Sequence, residues 1–238
     1  MFAPTLLVHA ALLAQLVGPY PFGVGETLQY EAKLGAFPVG TATATVSRLA
    51  QERGTPALVL AMTGQGGIPG LRVRYDLTSW VATETFNSLR FHIRTEQGSR
   101  VEEVRYQIVP DSGRYRKEGV AQDWVTPRNP LDELAFLYYL RTIPLQVGKT
   151  YSVSRYFQSG YNPIQVQVVG REPVTLPDGQ SVSCLSLAIT ARGTTMGVCL
   201  TDDTRRLPVT LDLPLPYGSV TLELSQFSPS VSQKRPGG

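Results

Sequence analysis

The chain has 238 residues, 42% of them hydrophobic and 17% charged, with a formal net charge of +3. That much apolar material can build one large core, and so little charge excludes a disordered or polyelectrolyte chain. Basic residues are interspersed with acidic ones, as in Arg100, Glu102, Glu103 and Arg105, so neither a basic stripe nor an aromatic–basic pattern marks a nucleic-acid surface.

Residues Leu6 to Val17 are apolar except for His9 and Gln15, and no charge precedes Glu26. The run is too short to cross a bilayer as a helix and has the length of an export signal's apolar region, although the usual preceding Lys or Arg is missing. Residues 1–18 are therefore expected to be a signal peptide cleaved near Ala14, and the mature chain to be exported to the periplasm or cell envelope. No Cys follows the run to take a lipid, and no later stretch is apolar for long enough to span a membrane.

After Pro21 the pattern changes to period two. Leu28, Tyr30, Ala32 and Leu34 alternate with polar residues, as do Ala42, Ala44 and Val46, which predicts half-buried strands. Ala57 to Met62 is apolar throughout and predicts a strand covered on both faces. Gly64, Gly66, Gly67, Pro69 and Gly70 predict a loop. Further alternation marks Leu71–Leu77, Leu89–Ile93, Val101–Ile108 and Ile164–Val168, separated by turn residues such as Asp111-Ser112-Gly113 and Pro177-Asp178-Gly179.

One segment departs from this rhythm. Asn129 as N-cap, Pro130 at the first helical position and the acids Asp132 and Glu133 predict a helix running to Arg141, ended by Pro144. Apolar residues on nearly every side make it a buried helix. Beyond it, Leu185, Leu187 and Ile189, then Met196, Val198 and Leu200, then Val209, Leu211 and Leu213, then Val220, Leu222 and Leu224 predict a four-stranded meander. A turn centred on Ala191 and Arg192 would pair Leu185 with Val198 and Leu187 with Met196. That register sets Cys184 opposite Cys199, with Cα atoms about 4.5 Å apart at a non-hydrogen-bonded position. A disulfide is expected there in an oxidising compartment.

About ten strands are counted, and a sheet of that size tends to curl. The reading is an all-β fold: one domain over residues 19–227, a large curved antiparallel sheet forming a barrel or incomplete barrel, the buried helix near 130–141, and a disordered tail at 228–238. A two-sheet sandwich is the alternative.

Several blocks together resemble one family. They are Pro21-Phe22-Gly23-Val24-Gly25-Glu26-Thr27-Leu28-Gln29-Tyr30 with Phe37-Pro38-Val39-Gly40-Thr41-Ala42, then Tyr75-Asp76-Leu77-Thr78-Ser79-Trp80. Asn129-Pro130-Leu131, Leu137-Tyr138-Tyr139-Leu140-Arg141, Pro144-Leu145 and Val147-Gly148 follow, and then Leu200-Thr201-Asp202-Asp203, Arg206-Leu207-Pro208-Val209 and Gly218-Ser219-Val220. In this order the blocks are similar to the bacterial domain-of-unknown-function family 3108. Two positions depart from its pattern: Cys199, where a large aromatic is common, and Asp132-Glu133, in place of a smaller polar pair. The resemblance implies an exported protein and supports the β fold, and it carries over no catalytic residue.

Candidate chemistry is sparse. The histidines are His9, in the leader, and His92, on a polar strand face, so neither a His-based nucleophilic site nor a zinc ligand set is expected. Asp202-Asp203 reads as turn chemistry beside Arg205 and Arg206, and the Gly64–Gly70 segment lacks the ending of a phosphate loop. No enzyme, cofactor or metal site is expected. Tyr30, Tyr75, Trp80, Phe91, Tyr138 and Tyr139 are the candidates to line a cavity for a lipid or acyl chain. The expected function is an envelope binding module for such an apolar ligand; the alternative is a structural or assembly factor acting through protein contacts.

Overall fold

A computed structural model of the chain describes residues 20–215 and 218–230. The expected signal peptide at 1–18, and residues 231–238 of the expected tail, lie outside them. The first strands follow from the alternation: β1 (Thr27–Leu34) and β2 (Phe37–Glu52) pair Leu28 with Ala44 and Tyr30 with Ala42, so their apolar faces coincide. β3 (Thr55–Ile68), β4 (Leu71–Ala82), β5 (Ser88–Gln97) and β6 (Arg100–Val109) continue the meander, and the short β7 (Arg114–Lys117) and β8 (Asp123–Val125) end it. The helix α1 (Glu133–Leu140) leads to β9 (Thr150–Val153), β10 (Ile164–Thr175), β11 (Ser181–Ala191), β12 (Thr194–Thr201), β13 (Pro208–Leu215) and β14 (Gly218–Ser228). β14 returns to pair with β1, so the described residues form one 14-stranded antiparallel sheet whose free edges are β8 and β9.

The sheet is an incomplete barrel rather than a sandwich. No strand pair closes it; instead the segments after its two edges meet. Leu131 donates its N–H to the Arg155 carbonyl (2.6 Å) and accepts from Phe157 N–H (2.9 Å), and the Ser159 hydroxyl reaches the Val125 carbonyl (3.0 Å). The space inside the curl is filled by side chains, including Tyr30, Phe91, Leu131, Leu134, Tyr138 and Phe157, each at most 2% exposed. The helix lies at the break and packs against β3 and β4, buried through Leu134, Ala135, Phe136, Tyr138 and Leu140.

Four details differ from the sequence expectation. The helix N-cap is Asp132, whose Oδ1 accepts from Ala135 N–H at 2.9 Å, not Asn129. The bridge to Arg155 and Phe157 holds Leu131 extended, so helical backbone cannot begin earlier. Gly64–Ile68 belongs to β3, and the loop shrinks to Pro69-Gly70. The β11–β12 register is displaced by two residues: Leu187 pairs with Val198, Leu185 with Leu200 and Cys199 with Ser186. A two-residue turn of Arg192 (φ 49°) and Gly193 (φ 80°) sets it, the left-handed pair that suits the twist of a hairpin. A displacement of two keeps every side chain on its face, and Cys184 and Cys199 are still bonded, diagonally, with Cα atoms 5.7 Å apart. Finally, Ser228 pairs with Thr27 and Ser230 is fully buried, so the ordered domain extends past 227.

Candidate functional site

The core-facing side of the sheet continues outward along the far halves of β2 to β6, where little covers it. Residues paired across an antiparallel ladder share a face, so successive rungs can be read from the register. Ala44, Met62, Leu77, Ile93 and Val104 form one row; Ala42, Gly64, Tyr75 and Thr95 form the next; Gly40, Gly66, Val73 and Gln97 form the last. Burial falls along this direction. Leu60 is fully buried, Met62, Leu77, Ile93 and Val104 are half-buried, and Tyr75 is 47% exposed. The result is an apolar strip that begins in the core and ends in solvent.

Glycines make its outer floor bare. A Cβ on Gly40 would lie 2.2 Å from the Gln65 carbonyl oxygen, and one on Gly66 2.4 Å from that of Val39, so neither position admits a side chain without parting the strands. Gly64 differs, because a Cβ there meets Ala42 and Tyr75 at ordinary distances of 3.8 and 3.9 Å. On the other face of the same sheet margin, which alternation gives to Thr41, Gln65, Arg72, Arg74 and Glu96, lies a separate open groove of about 700 Å³. Arg74 is held by Asp76 (2.9 Å) and Arg94 by Glu96 (2.6 Å). Arg72 is exposed and makes no ion pair among the described residues. The strip suits the apolar chain of an amphipathic molecule, while Arg72 stands on the opposite face at the margin where the strip ends. Turn residues of the same sheet margin add exposed apolar surface at Phe37 (75%), Ile68 (52%) and Leu71 (36%).

The six aromatic candidates do not gather round one cavity. Tyr30 is in the core with its hydroxyl donating to the Pro208 carbonyl (2.9 Å); Phe91 packs on Phe157; Tyr138 packs edge-on against Phe22. Trp80 lies with Ala57, Ala82 and Leu89 in a separate small cluster under Arg90, and Tyr139 lies under Arg155. Tyr75 alone belongs to the strip. Gly40 and Gly66 were not recognised as its floor; their signal was glycine at period two on facing strands. His92 is paired with Glu103 at 2.9 Å. Asp203 accepts from Arg205 (2.6 Å) and caps the turn, as turn chemistry predicts, while Asp202 is bound by Arg171 from β10 (2.7 Å).

A second polar group sits at the helix start. The fully buried Asp132 carboxylate accepts from the Ser79 hydroxyl at 2.5 Å, while the Asp132 N–H donates to Ser88 Oγ at 2.8 Å. Burial drives the Asp132 pKa up to about 6 against these hydrogen bonds. The neighbouring Glu133 accepts from Tyr156 OH, and burial, with the Asp132 charge beside it, raises its pKa too. Glu133 keeps more than a third of its surface in solvent, so this shift counts for less than at Asp132. These contacts tie the helix to β4, β5 and the far side of the break.

The model of a family described as "Protein of unknown function (DUF3108)" matches residues 29–225. A crystal structure of a beta-barrel-like protein of domain of unknown function DUF1849 from Brucella abortus is similar in fold, with a TM-score of 0.57 at 10% identity over 87% of this chain and 98% of that one. A crystal structure named as a "putative lipoprotein" from Parabacteroides distasonis aligns over 89% of this chain and 98% of that one, with 9% identity and a TM-score of 0.36. No curated protein matches the chain.

Proposed function

From the premise that the chain belongs to the DUF3108 family of proteins of unknown function, we propose that it is an exported envelope protein that binds an amphipathic lipid or acyl chain on the glycine-floored apolar strip. The observation that carries this reading is the uncovered continuation of the core face, Met62, Leu77, Ile93, Val104 and Tyr75, out to the exposed margin of the sheet. Apolar area left open costs about 25 cal/mol per Å², and an acyl chain recovers that energy by covering it. With the inside of the curl filled, the ligand takes the open end of the sheet rather than a closed barrel. The role is binding, with no catalysis and no cofactor. Export rests on the apolar N-terminal run and places the protein where lipid is abundant.

Titration of the mature protein with a fluorescent fatty acid, and with an uncharged ester of the same chain, tests the reading. Gly64→Leu, whose Cβ fits but whose branch enters the strip, should abolish both signals. No saturable binding by the wild type, or no effect of Gly64→Leu, would reject the strip as the site.

A second reading, an assembly factor working through protein contacts, is favoured by the exposed turn residues Phe37, Ile68 and Leu71. It requires that Phe37→Ser abolish crosslinking to a reproducible envelope partner while fatty-acid binding persists.

A further inference from the structure

The outer face of β10, β11 and β12 carries side chains that neither the core nor the groove uses. Alternation along β11 turns Leu185 and Leu187 to the core and Cys184 and Ser186 the other way. Glu172 on β10 pairs with Cys184, and Cys199 on β12 pairs with Ser186. One carboxylate oxygen, Glu172 Oε1, gathers all three partners: it accepts from the Ser186 hydroxyl at 2.5 Å and lies 3.3 Å from Cys199 Sγ and 3.9 Å from Cys184 Sγ. Both sulfurs belong to nearly buried residues, Cys184 at 0% and Cys199 at 7% exposure, while Glu172 is exposed.

In the disulfide neither sulfur carries a proton or a charge that could attract a carboxylate. In the dithiol both can donate to it, and as thiolates the two sulfurs with the carboxylate form a ligand set for a thiophilic cation. The three ligand atoms lie within 4.8 Å of one another. Around tetrahedral zinc, with Zn–S near 2.3 Å and Zn–O near 2.1 Å, the S···O edge is about 3.6 Å. The observed 3.3 and 3.9 Å bracket that edge, so sulfur and oxygen are already spaced for a metal. Only the S–S bond must open. Gly170, opposite Ser186, has nothing within 4 Å of the place its Cβ would take, which leaves room for a water as fourth ligand.

We propose that Cys184, Cys199 and Glu172 form a redox-gated site for a thiophilic divalent cation of the Zn²⁺ class, closed as a disulfide and opened by reduction. A dithiol reductant opens it by exchange: its first thiolate attacks one protein sulfur, and its second resolves the mixed disulfide. Two electrons and two protons pass to the protein, which leaves two thiols, and the reductant departs as a disulfide. The entering cation then displaces the two thiol protons to solvent without changing its own oxidation state. Disulfide and metal exclude each other, so the bound state reports a loss of oxidising power around the protein.

The test uses the mature protein reduced with a phosphine, freed of reductant without oxygen, and titrated with Co²⁺ as a spectroscopic probe, followed by Zn²⁺ competition. One Co²⁺ per chain, with thiolate charge-transfer absorption in the near ultraviolet and tetrahedral bands in the visible, is expected. The oxidised protein and the variant with Cys184→Ser and Cys199→Ser should show neither. Glu172→Gln should weaken binding tenfold or more. Folded, reduced wild type giving no more absorption than the double variant would overturn the proposal, as would unchanged affinity in Glu172→Gln. So would a reduced chain that unfolds and is not restored by the metal.

Discussion

Replacing Glu26 by Gln removes a charge from the one deeply buried ion pair among the described residues. Arg141, the residue after the helix, directs Nη1 to Glu26 Oε1 at 2.6 Å and Nη2 to Oε2 at 2.9 Å, with the two side chains only 1% and 3% exposed. Nη2 also donates to the Arg205 carbonyl at 3.0 Å, and the guanidinium lies 4.9 Å from the Phe22 ring and 5.4 Å from the Tyr138 ring. The pair thus fastens the helix to the N-terminal segment and to the β12–β13 loop. A glutamine keeps one acceptor, sets an NH₂ against the guanidinium donors and leaves a buried positive charge uncompensated. Breaking one partner of such a pair costs about 3–5 kcal/mol, which for a domain of this size lowers Tm by roughly 6–20 °C. Urea unfolding followed by circular dichroism reads the loss directly, since urea does not screen charge. The joint replacement Glu26→Leu with Arg141→Met should recover much of it, because a desolvated pair is often matched by apolar packing. A loss below about 1 kcal/mol for Glu26→Gln would refute the reasoning.

Other consequences can be checked alongside. Burial lifts the Asp132 pKa from 3.8 to about 6, so the folded state binds this proton more tightly than the unfolded one. The group therefore favours folding most below pH 4, and its contribution falls by about 3 kcal/mol as pH rises to 6. Asp132→Asn keeps an oxygen for Ala135 N–H and removes the titration; its stability relative to wild type should rise between pH 4 and 6, and parallel curves would reject this origin. Cys184→Ser with Cys199→Ser should cost about 3 kcal/mol against the oxidised protein, for a loop of sequence separation 15. Alkylation of the denatured, unreduced wild type should label neither cysteine, and two labels would show the bond absent. Tyr20 stacks on Phe22 and donates to the Thr83 carbonyl at 3.1 Å, so N-terminal sequencing of the exported protein should find a start between Gln15 and Tyr20; intact Met1 in a soluble cytoplasmic fraction would contradict export.

Alternation along the chain was enough to read the β character of Leu28, Tyr30, Ala42 and Ala44, because burial on one face of a strand is a local pattern. The buried helix was legible for the same reason: Leu134, Ala135 and Tyr138 have no polar face to offer. Its start was not, since Leu131 is claimed by Arg155 and Phe157 across the break, a contact more than twenty residues away in sequence. The register of Cys184 and Cys199 was misread by two because either register sets apolar against apolar, and only the left-handed turn at Arg192-Gly193 decides between them. Gly64, Gly66 and Gly67 look like a loop by composition; in the structure the glycine of β2 facing Gly66 lets two backbones approach where no side chain fits. The open strip was hidden for a related reason. Alternation tells which face a residue takes, as for Tyr75, but the point along a strand at which the sheet loses its cover depends on how the whole sheet curls.

The claim that the apolar strip holds an acyl chain is met most directly by native mass spectrometry of the mature protein released from the cell envelope without detergent, beside its Gly64→Leu variant. The wild type should carry a reproducible added mass that fragments to an amphipathic lipid, and the variant, equally folded, should carry none. Bare wild-type protein in repeated preparations, or the same added mass on both proteins, would contradict the account.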